Sequence, residues 1–341
     1  MLGNLATFFV VGAFLAEVYL SGGVPLYQVL RGSQFYVQEG SAFHLHTFTF
    51  WTVFSTIRFA DFTYSRRWRC LFEAALPVIF FALMVYRGPA LMCVLTRLFV
   101  YVLHRGSLTF RQCAIAITAA LAVMYVNGVI GDIRSPGQDI LSGEPTKEFR
   151  ESRIPKTYFW AYLYTTVPLA NFQLSVDLLD GDQGTIGEFV ASEFLPDTIS
   201  KFVLPLLNDG IPSNIGSLAS RDQLYSWEQP QVSPGLNIST IFGRSYGFFG
   251  WPGPAIMFIA LCGFIITYVV LIRNCPYRVP ALALLNTLVV FCLFNNMIAS
   301  AAILPSLIWP LLLPPWRTAA SEARVHGCSR HTAPLLGEGS Q

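Results

Sequence analysis

Five basic residues, Arg134, Lys147, Arg150, Arg153 and Lys156, crowd the polar part of the stretch that runs from Gly131 to Phe172. The stretch then turns aromatic and apolar again. A guanidinium presents its donors as a planar fork that matches phosphate oxygens, and it stays charged at a low-dielectric boundary. Basic groups beside an apolar, aromatic surface suit an anionic lipid head group. The spacing therefore points to a pyrophosphate-linked lipid, with Arg134, Arg150 and Arg153 as the anion-binding groups. Each arginine taken singly has a plainer use, as a solvated charge paired with Asp132, Glu148 or Glu151. Their clustering beside the aromatic run favours the site.

Other side chains offer further chemistry. Tyr158, Trp160, Tyr162 and Tyr164 present faces that stack on sugar rings, although Tyr158 and Trp160 read more simply as an interfacial belt. Asn171 is a polar group in an apolar run, a ligand or an interhelical hydrogen-bonding group. His44 and His46, two residues apart, point to different faces of a helix and so do not share a metal. Either could take a proton as general base, and so could Glu151, although a histidine at an interface is commonly just that. His326, Cys328 and His331 resemble a metal cluster only in composition, and no metal or cofactor is expected. Asn237-Ile238-Ser239 is a short match to a glycosylation sequon. Glu17 and Glu73 lie near the ends of apolar segments, where Glu73 is the better candidate for a functional acid. No GxSxG, P-loop, HExxH or GxGxxG in its proper context occurs.

The elements that must position these groups emerge from composition. The chain has 341 residues, 53% hydrophobic and 12% charged, against about 25% charged for soluble domains. So little charge cannot cover a water-facing surface, and the sequence predicts an all-α polytopic membrane protein. There is no long basic run, which excludes nucleic acid as a partner. The seven cysteines avoid the large polar region between Gly131 and Gly250, so no disulfide framework is expected. Met1–Leu20 lacks a basic n-region and a cleavage site and reads as a first membrane helix.

About eight segments are long and apolar enough to span: Leu2–Leu20, Phe43–Ala60, Cys70–Tyr86, Pro89–His104, Gln112–Ile130, Pro254–Ile272, Pro280–Ile298 and the short Ala301–Leu313. A hairpin turn is expected at Arg87-Gly88-Pro89. The organisation is 1–130, N-terminal membrane helices; 131–250, a large extracytoplasmic loop region; 251–316, C-terminal membrane helices; and 317–341, a disordered cytoplasmic tail. Arg58, Arg66, Arg67, Arg69, Arg105, Arg111, Arg273 and Arg278 fall on one side if 131–250 lies wholly on the other, which makes the basic side cytoplasmic. Tyr158–Leu174 is apolar enough to span, but spanning would invert the topology of every later segment. It reads as a re-entrant or interfacial helix, broken or bent at Pro168. Ile186–Leu207 reads as an amphipathic helix broken at Pro196 and Pro205.

Four blocks, in order, resemble the bacterial oligosaccharide repeat unit polymerases, the O-antigen polymerase family. They are Gly22-Gly23-Val24-Pro25-Leu26, Gly131-Asp132-Ile133-Arg134-Ser135, the run from Tyr162 to Asn171 (YLYTTVPLAN), and Asn237-Ile238-Ser239-Thr240 with Tyr246 and Gly250. Phe248 stands where the family carries an aspartate, and the chain begins later than family members do. The resemblance implies a glycosyltransferase C-like fold in the bacterial inner membrane, multi-pass. It also implies polymerisation of undecaprenyl-pyrophosphate-linked repeat units at the periplasmic face. The partners implied are that lipid-linked glycan, membrane lipid, a chain-length regulator and a flippase. Arg134, Arg150, Arg153 and Arg244 would hold pyrophosphate; Tyr162, Tyr164, Asn171, Asn237 and Tyr246 would line the glycan; His46 or Glu151 would act as base. The alternatives are an O-antigen ligase and a lipid-linked oligosaccharide flippase or transporter. Transporters more often show internal repeats and mid-membrane charge.

Overall fold

Helices α1 (Leu2–Leu20), α2 (Pro25–Leu30), α3 (Ala42–Ser65), α4 (Trp68–Leu83), α5 (Arg87–Arg105) and α6 (Phe110–Arg134) make up the first part of the chain. A polar region comes next, with α7 (Lys147–Glu151), α8 (Phe159–Leu178), α9 (Ile186–Glu193), α10 (Asp197–Leu207) and α11 (Ile241–Phe249). The last part holds α12 (Pro252–Leu271), α13 (Arg278–Phe291) and α14 (Leu304–Leu312). The computed structural model describes residues 2–31, 42–107, 109–134, 147–207, 229–232, 239–300 and 303–313, and among them there is no strand. The expected all-α class is therefore what the chain adopts.

α3 is the hub: it packs on α1, α4, α5, α13 and α14. One core cluster joins Val53 and Ile57 of α3 to Leu284, Leu285 and Leu288 of α13 and Leu307 of α14, and extends to Met257 and Leu261 of α12. The other buries Trp51 and Phe54 against Val10 of α1, Phe80 and Phe81 of α4, and Cys93 of α5. Each burial of such a side chain contributes about 1.5–3 kcal/mol.

Contacts at the two ends fix the helix directions. At one end His44, early in α3, meets Glu17, late in α1, and Tyr86, between α4 and α5. At the other, Tyr64 packs on His104 and Arg58 binds Glu73, while Ala60, Val100 and Ala283 share a cluster. The Cys275 thiol donates to the Pro310 carbonyl at that same end, and the amide of Ile241 donates to the Cys292 carbonyl at the far one. The helices thus alternate in direction. Arg66, Arg67, Arg69, Arg105, Arg273 and Arg278, all exposed, lie at one end, hereafter the basic end. α6 starts there with Arg111, touches α2 at the far end, and at 1.5 Å per residue spans roughly 37 Å.

Several boundaries differ from the expectations. The α4–α5 turn falls at Met84–Tyr86, not at Arg87-Gly88-Pro89. Val85 takes a positive φ of 62° there, uncommon for a β-branched residue, while its side chain and that of Met84 are buried. Pro89 instead sits in the first turn of α5, where its missing N–H has no intrahelical partner to lose. α8 runs unbroken through Pro168, and α10 through Pro205; only Pro196 separates two helices. In α8, burial of the turns on either side of Pro168 outweighs the roughly 3 kcal/mol an interior proline costs. α13 stops at Phe291 rather than Ile298, and beyond its end the Asn296 side chain donates to Glu193. α2 and α11 are helices that the apolar pattern of the sequence does not mark.

Length also separates the helices. α12 is the one described helix both long and apolar enough by itself to cross a bilayer, with 20 residues and a mean hydropathy of 2.4, and only 17% of its apolar window is buried. Leu5–Leu20, Phe110–Ala122 and Arg278–Phe291 are shorter apolar helical stretches. α14, at nine residues, reaches roughly 14 Å, short of a hydrocarbon core of about 30 Å. Large apolar side chains nonetheless face outward along α1 (Phe8, Phe9, Leu15), α6 (Ile115, Ile117, Leu121) and α12 (Phe258, Ile259, Ile266).

Candidate functional site

Phe149, the middle residue of α7, is buried and stacks near Phe159 (5.1 Å) and Tyr162 (5.2 Å) of α8. Gly128 of α6 lies so close to the Thr157 carbonyl that any Cβ there would collide with it. Tyr125 and Tyr158 pack across the same junction, their rings 6.1 Å apart. These contacts bring three segments together at the far end of α6. Arg134 ends α6, Arg150 lies on α7, and Arg153 is exposed just beyond it. The side chains of Arg134, Arg150 and Lys156 lie outside the described residues. Glu151 and Lys147 are exposed. Two of the elements that meet here, α6 and α7, thus carry Arg134 and Arg150, and Arg153 follows α7 directly.

A second group forms where α11 crosses α8. Phe159, Leu163, Val167, Asn171 and Ser175 recur every fourth residue and are all buried, so Asn171 is a polar member of an otherwise largely apolar stripe. Its Oδ1 accepts from the backbone N–H of Val232 at 2.9 Å. Val232 belongs to a strap, Gln229–Val232, whose Gln229 accepts from Arg244 Nε (3.4 Å) and donates to Ser239 Oγ (2.7 Å). Tyr246 is buried against Phe172 (6.2 Å) and Trp251 (5.6 Å). Asn171, Arg244 and Tyr246 therefore belong to one local assembly. Tyr162 is half-buried at the junction, while Tyr164 is exposed on another face. Asn237 lies outside the described residues.

Phe248, where the resemblance expects an acid, is a core residue. It is 1% exposed and packs on Phe189 at 5.5 Å, with Gly184 leaving room for its ring. A carboxylate there would be buried among aromatic rings, which is costly without a partner.

The ionisable groups inside the bundle sort themselves by partner. Glu73 uses both oxygens, one towards Arg58 (Nε at 2.6 Å, with Nη2 also bound) and one towards Arg69 Nε (2.8 Å), and Arg58 also reaches Asp61 (3.0 Å). Saturated in this way, Glu73 ties α3 to α4 rather than offering a free acid. Arg97 donates to Ser55 Oγ (3.1 and 2.7 Å) and to the Ala74 carbonyl, and no carboxylate pairs with it among the described residues. His44 and His46 part company, as their spacing predicts. His44 is buried with Nδ1 3.0 Å from Glu17 Oε2 and its ring against Phe48 and Tyr86, whereas His46 is exposed. The second oxygen of Glu17 is buried without a hydrogen-bond partner among the described residues. No group of three or more His, Cys, Asp or Glu able to hold a metal occurs among them either.

Sequence reasoning missed Gln229, which bridges Arg244 and Ser239, and the Glu17–His44 and Glu193–Asn296 pairs. The four-residue recurrence along α8 is the available signal for the buried position of Asn171. Nothing in local spacing marks Gln229. No family model, no curated protein and no solved structure matches the chain, so the resemblance rests on its four sequence blocks alone.

Proposed function

We propose that the chain is a multi-pass enzyme of the bacterial inner membrane that polymerises undecaprenyl-pyrophosphate-linked oligosaccharide repeat units at the periplasmic face, on a glycosyltransferase C-like scaffold of about eight membrane segments. The observation that supports this reading is the packing of α6, which ends at Arg134, and of α7, which carries Arg150 and leads to Arg153, against the start of α8, at the end of the bundle opposite the basic turns. Supporting the membrane setting are those basic turns, all at one end, and the outward apolar faces of α1, α6 and α12. In this reading the shorter helices α4, α13 and α14 complete their crossings with flanking residues.

The reaction joins the anomeric carbon of the growing glycan to a hydroxyl of the incoming unit. The bond from that carbon to the pyrophosphate oxygen breaks, and undecaprenyl pyrophosphate leaves with the electron pair. Arg134, Arg150, Arg153 and Arg244 stabilise the charge that gathers on the leaving group. The acceptor proton passes to His46 or Glu151, the two candidates whose exposure leaves them open to a substrate hydroxyl. Tyr162 offers a face to the sugars, with Asn171 and Tyr246 in the wall behind it, and Tyr164 and Asn237 complete the glycan-binding set that the resemblance implies.

The test is the surface glycan of a strain deleted for the gene and complemented with wild type or with Arg134→Ala, Arg150→Ala, Arg153→Ala or Arg244→Ala at matched expression. Single repeat units on the deletion strain, long chains with wild type, and at least a roughly 100-fold loss of polymer with the arginine variants are expected. Single units that stay inside the cell and never reach the surface would instead favour a ligase or a flippase.

A further inference from the structure

Arg97 places a positive charge inside the bundle with nothing of opposite sign bound to it among the described residues. It lies in mid-α5, eight residues before that helix ends at Arg105, and so roughly 12 Å from the basic end. Its Nε and Nη2 donate to Ser55 Oγ of α3 (3.1 and 2.7 Å), and Nη2 donates also to the Ala74 carbonyl of α4. Ser55 and Ala74 are fully buried, and both acceptors are neutral. Nη1 has no hydrogen-bond partner among the described residues. The plainer use of such a side chain is to clamp α3 to α4. That clamp does not need a charge, because Ser55 Oγ itself donates to the Ala74 carbonyl at 3.0 Å and ties the same two helices. A cation kept at this depth without a counter-charge is costly, and such groups mark ion or substrate sites.

The surroundings of Arg97 supply donors rather than acids. Cys93, one turn earlier on α5, is fully buried beside Thr52 and Ser55, and its thiol donates to Thr52 Oγ1 at 3.9 Å. The Thr52 hydroxyl proton has no acceptor among the described residues. Glu73, next to Ala74 in the chain, already holds Arg58 and Arg69. Towards the basic end more guanidiniums follow. Arg97 lies over the Phe59 ring, Arg66 over Phe62 and Arg105 over Tyr101, each 5.9 Å from the ring centre. Arg97, Tyr101 and Arg105 follow at four-residue steps along one face of α5. Arg66 and Arg105 are exposed, and positive potential at that end concentrates anions from solution.

We infer that Arg97, together with Thr52, binds a small, singly charged inorganic anion of the chloride class inside the α3–α4–α5 contact. Its Nη1 and the Thr52 hydroxyl are the donors left over for it. One guanidinium balances one negative charge, whereas a phosphate dianion would leave a net charge buried in low dielectric. Once bound, the anion completes the charge of this contact, and the fold gains stability with anion concentration. The inference depends neither on the membrane setting nor on glycosyl transfer.

The test uses the purified full chain in detergent, with chloride exchanged for gluconate at constant ionic strength. Radiolabelled chloride, followed by equilibrium dialysis, should bind wild type saturably, and chloride should raise the unfolding temperature over the same concentrations. Arg97→Met keeps the bond from Ser55 to Ala74 and should weaken binding at least about tenfold, the loss of a hydrogen bond to a charged group. Thr52→Val should weaken it roughly fivefold, the loss of a neutral one. Arg105→Gln, more than a Debye length away, should leave it within about twofold. Absence of saturable binding to wild type, or equal binding by Arg97→Met, would overturn the inference. Should Arg97→Met fail to fold, unchanged binding by Thr52→Val would overturn it instead. Label displaced by phosphatidylglycerol but not by bromide would place a lipid phosphate beside Arg97 and overturn the small anion.

Discussion

The carboxamide of Asn171 holds the Gln229–Val232 strap against α8, and through Gln229 that strap reaches Arg244. Removing the acceptor leaves the Val232 amide without it, a loss of about 1–3 kcal/mol. Asn171→Leu should lower the thermal unfolding temperature of the purified protein in detergent, and Asn171→Asp, which keeps an acceptor, should recover most of it. Unchanged stability with lost activity would make Asn171 a glycan ligand instead. Charges inside the bundle give a sharper contrast. Glu73→Gln strips Arg58 and Arg69 of their shared carboxylate and should cost about 3–5 kcal/mol. Arg97→Met removes a cation with only neutral partners. Ser55 Oγ still donates to the Ala74 carbonyl at 3.0 Å, so the change should cost less than about 1 kcal/mol. Equal losses in denaturant unfolding would refute that distinction. At this scale residue types are legible in the sequence and partners are not. The basic cluster can be read from Arg134 to Arg153, but the pairing of Glu17 with His44 spans 27 positions and that of Glu193 with Asn296 spans 103. No local pattern carries such distances.

Helices are legible where apolar runs are long, and less so where prolines or polar turns compete with packing. Leu2–Leu20 can be read to the residue because nothing interrupts it. Pro168 misleads in α8, since a local rule for breaking helices takes no account of Phe159, Leu163, Val167, Asn171 and Ser175 all buried on one stripe. α11 escapes such rules because its nine residues include two glycines, Gly243 and Gly247, and its stability comes from burial of Ile241, Tyr246 and Phe248 rather than from propensity. The contact most exposed to test at this scale is the one between α6 and the start of α8. Gly128→Val must push the Thr157 carbonyl away, an overpacking that costs about 1–3 kcal/mol. It should also displace the start of α8, and with it α7, from the end of α6. The expected outcome is a lower unfolding temperature together with lost polymerisation. A variant that unfolds like wild type would mean that α6 and α8 do not meet there.

Across the whole molecule, alternating helix directions bring the exposed arginines of the α3–α4, α5–α6 and α12–α13 turns to one end and leave the arginine junction at the other. The scarcity of charge announces a bundle of this kind. Its polarity is written in where the arginines fall along the chain, and the end-to-end contacts of His44 with Tyr86 and of Tyr64 with His104 run in the same sense. The lengths of the last helices are less legible, because α13 and α14 end early at polar and proline-rich turns that hydropathy averages over. We propose above that this chain lengthens a lipid-linked glycan. The most direct test is to reconstitute the purified full chain in liposomes with the undecaprenyl-pyrophosphate-linked units extracted from the deletion strain, and to measure product size by gel. A ladder of polymers is expected with wild type and none with Arg153→Ala or Arg244→Ala. Units that remain single in length, whether or not they cross the bilayer, would contradict it.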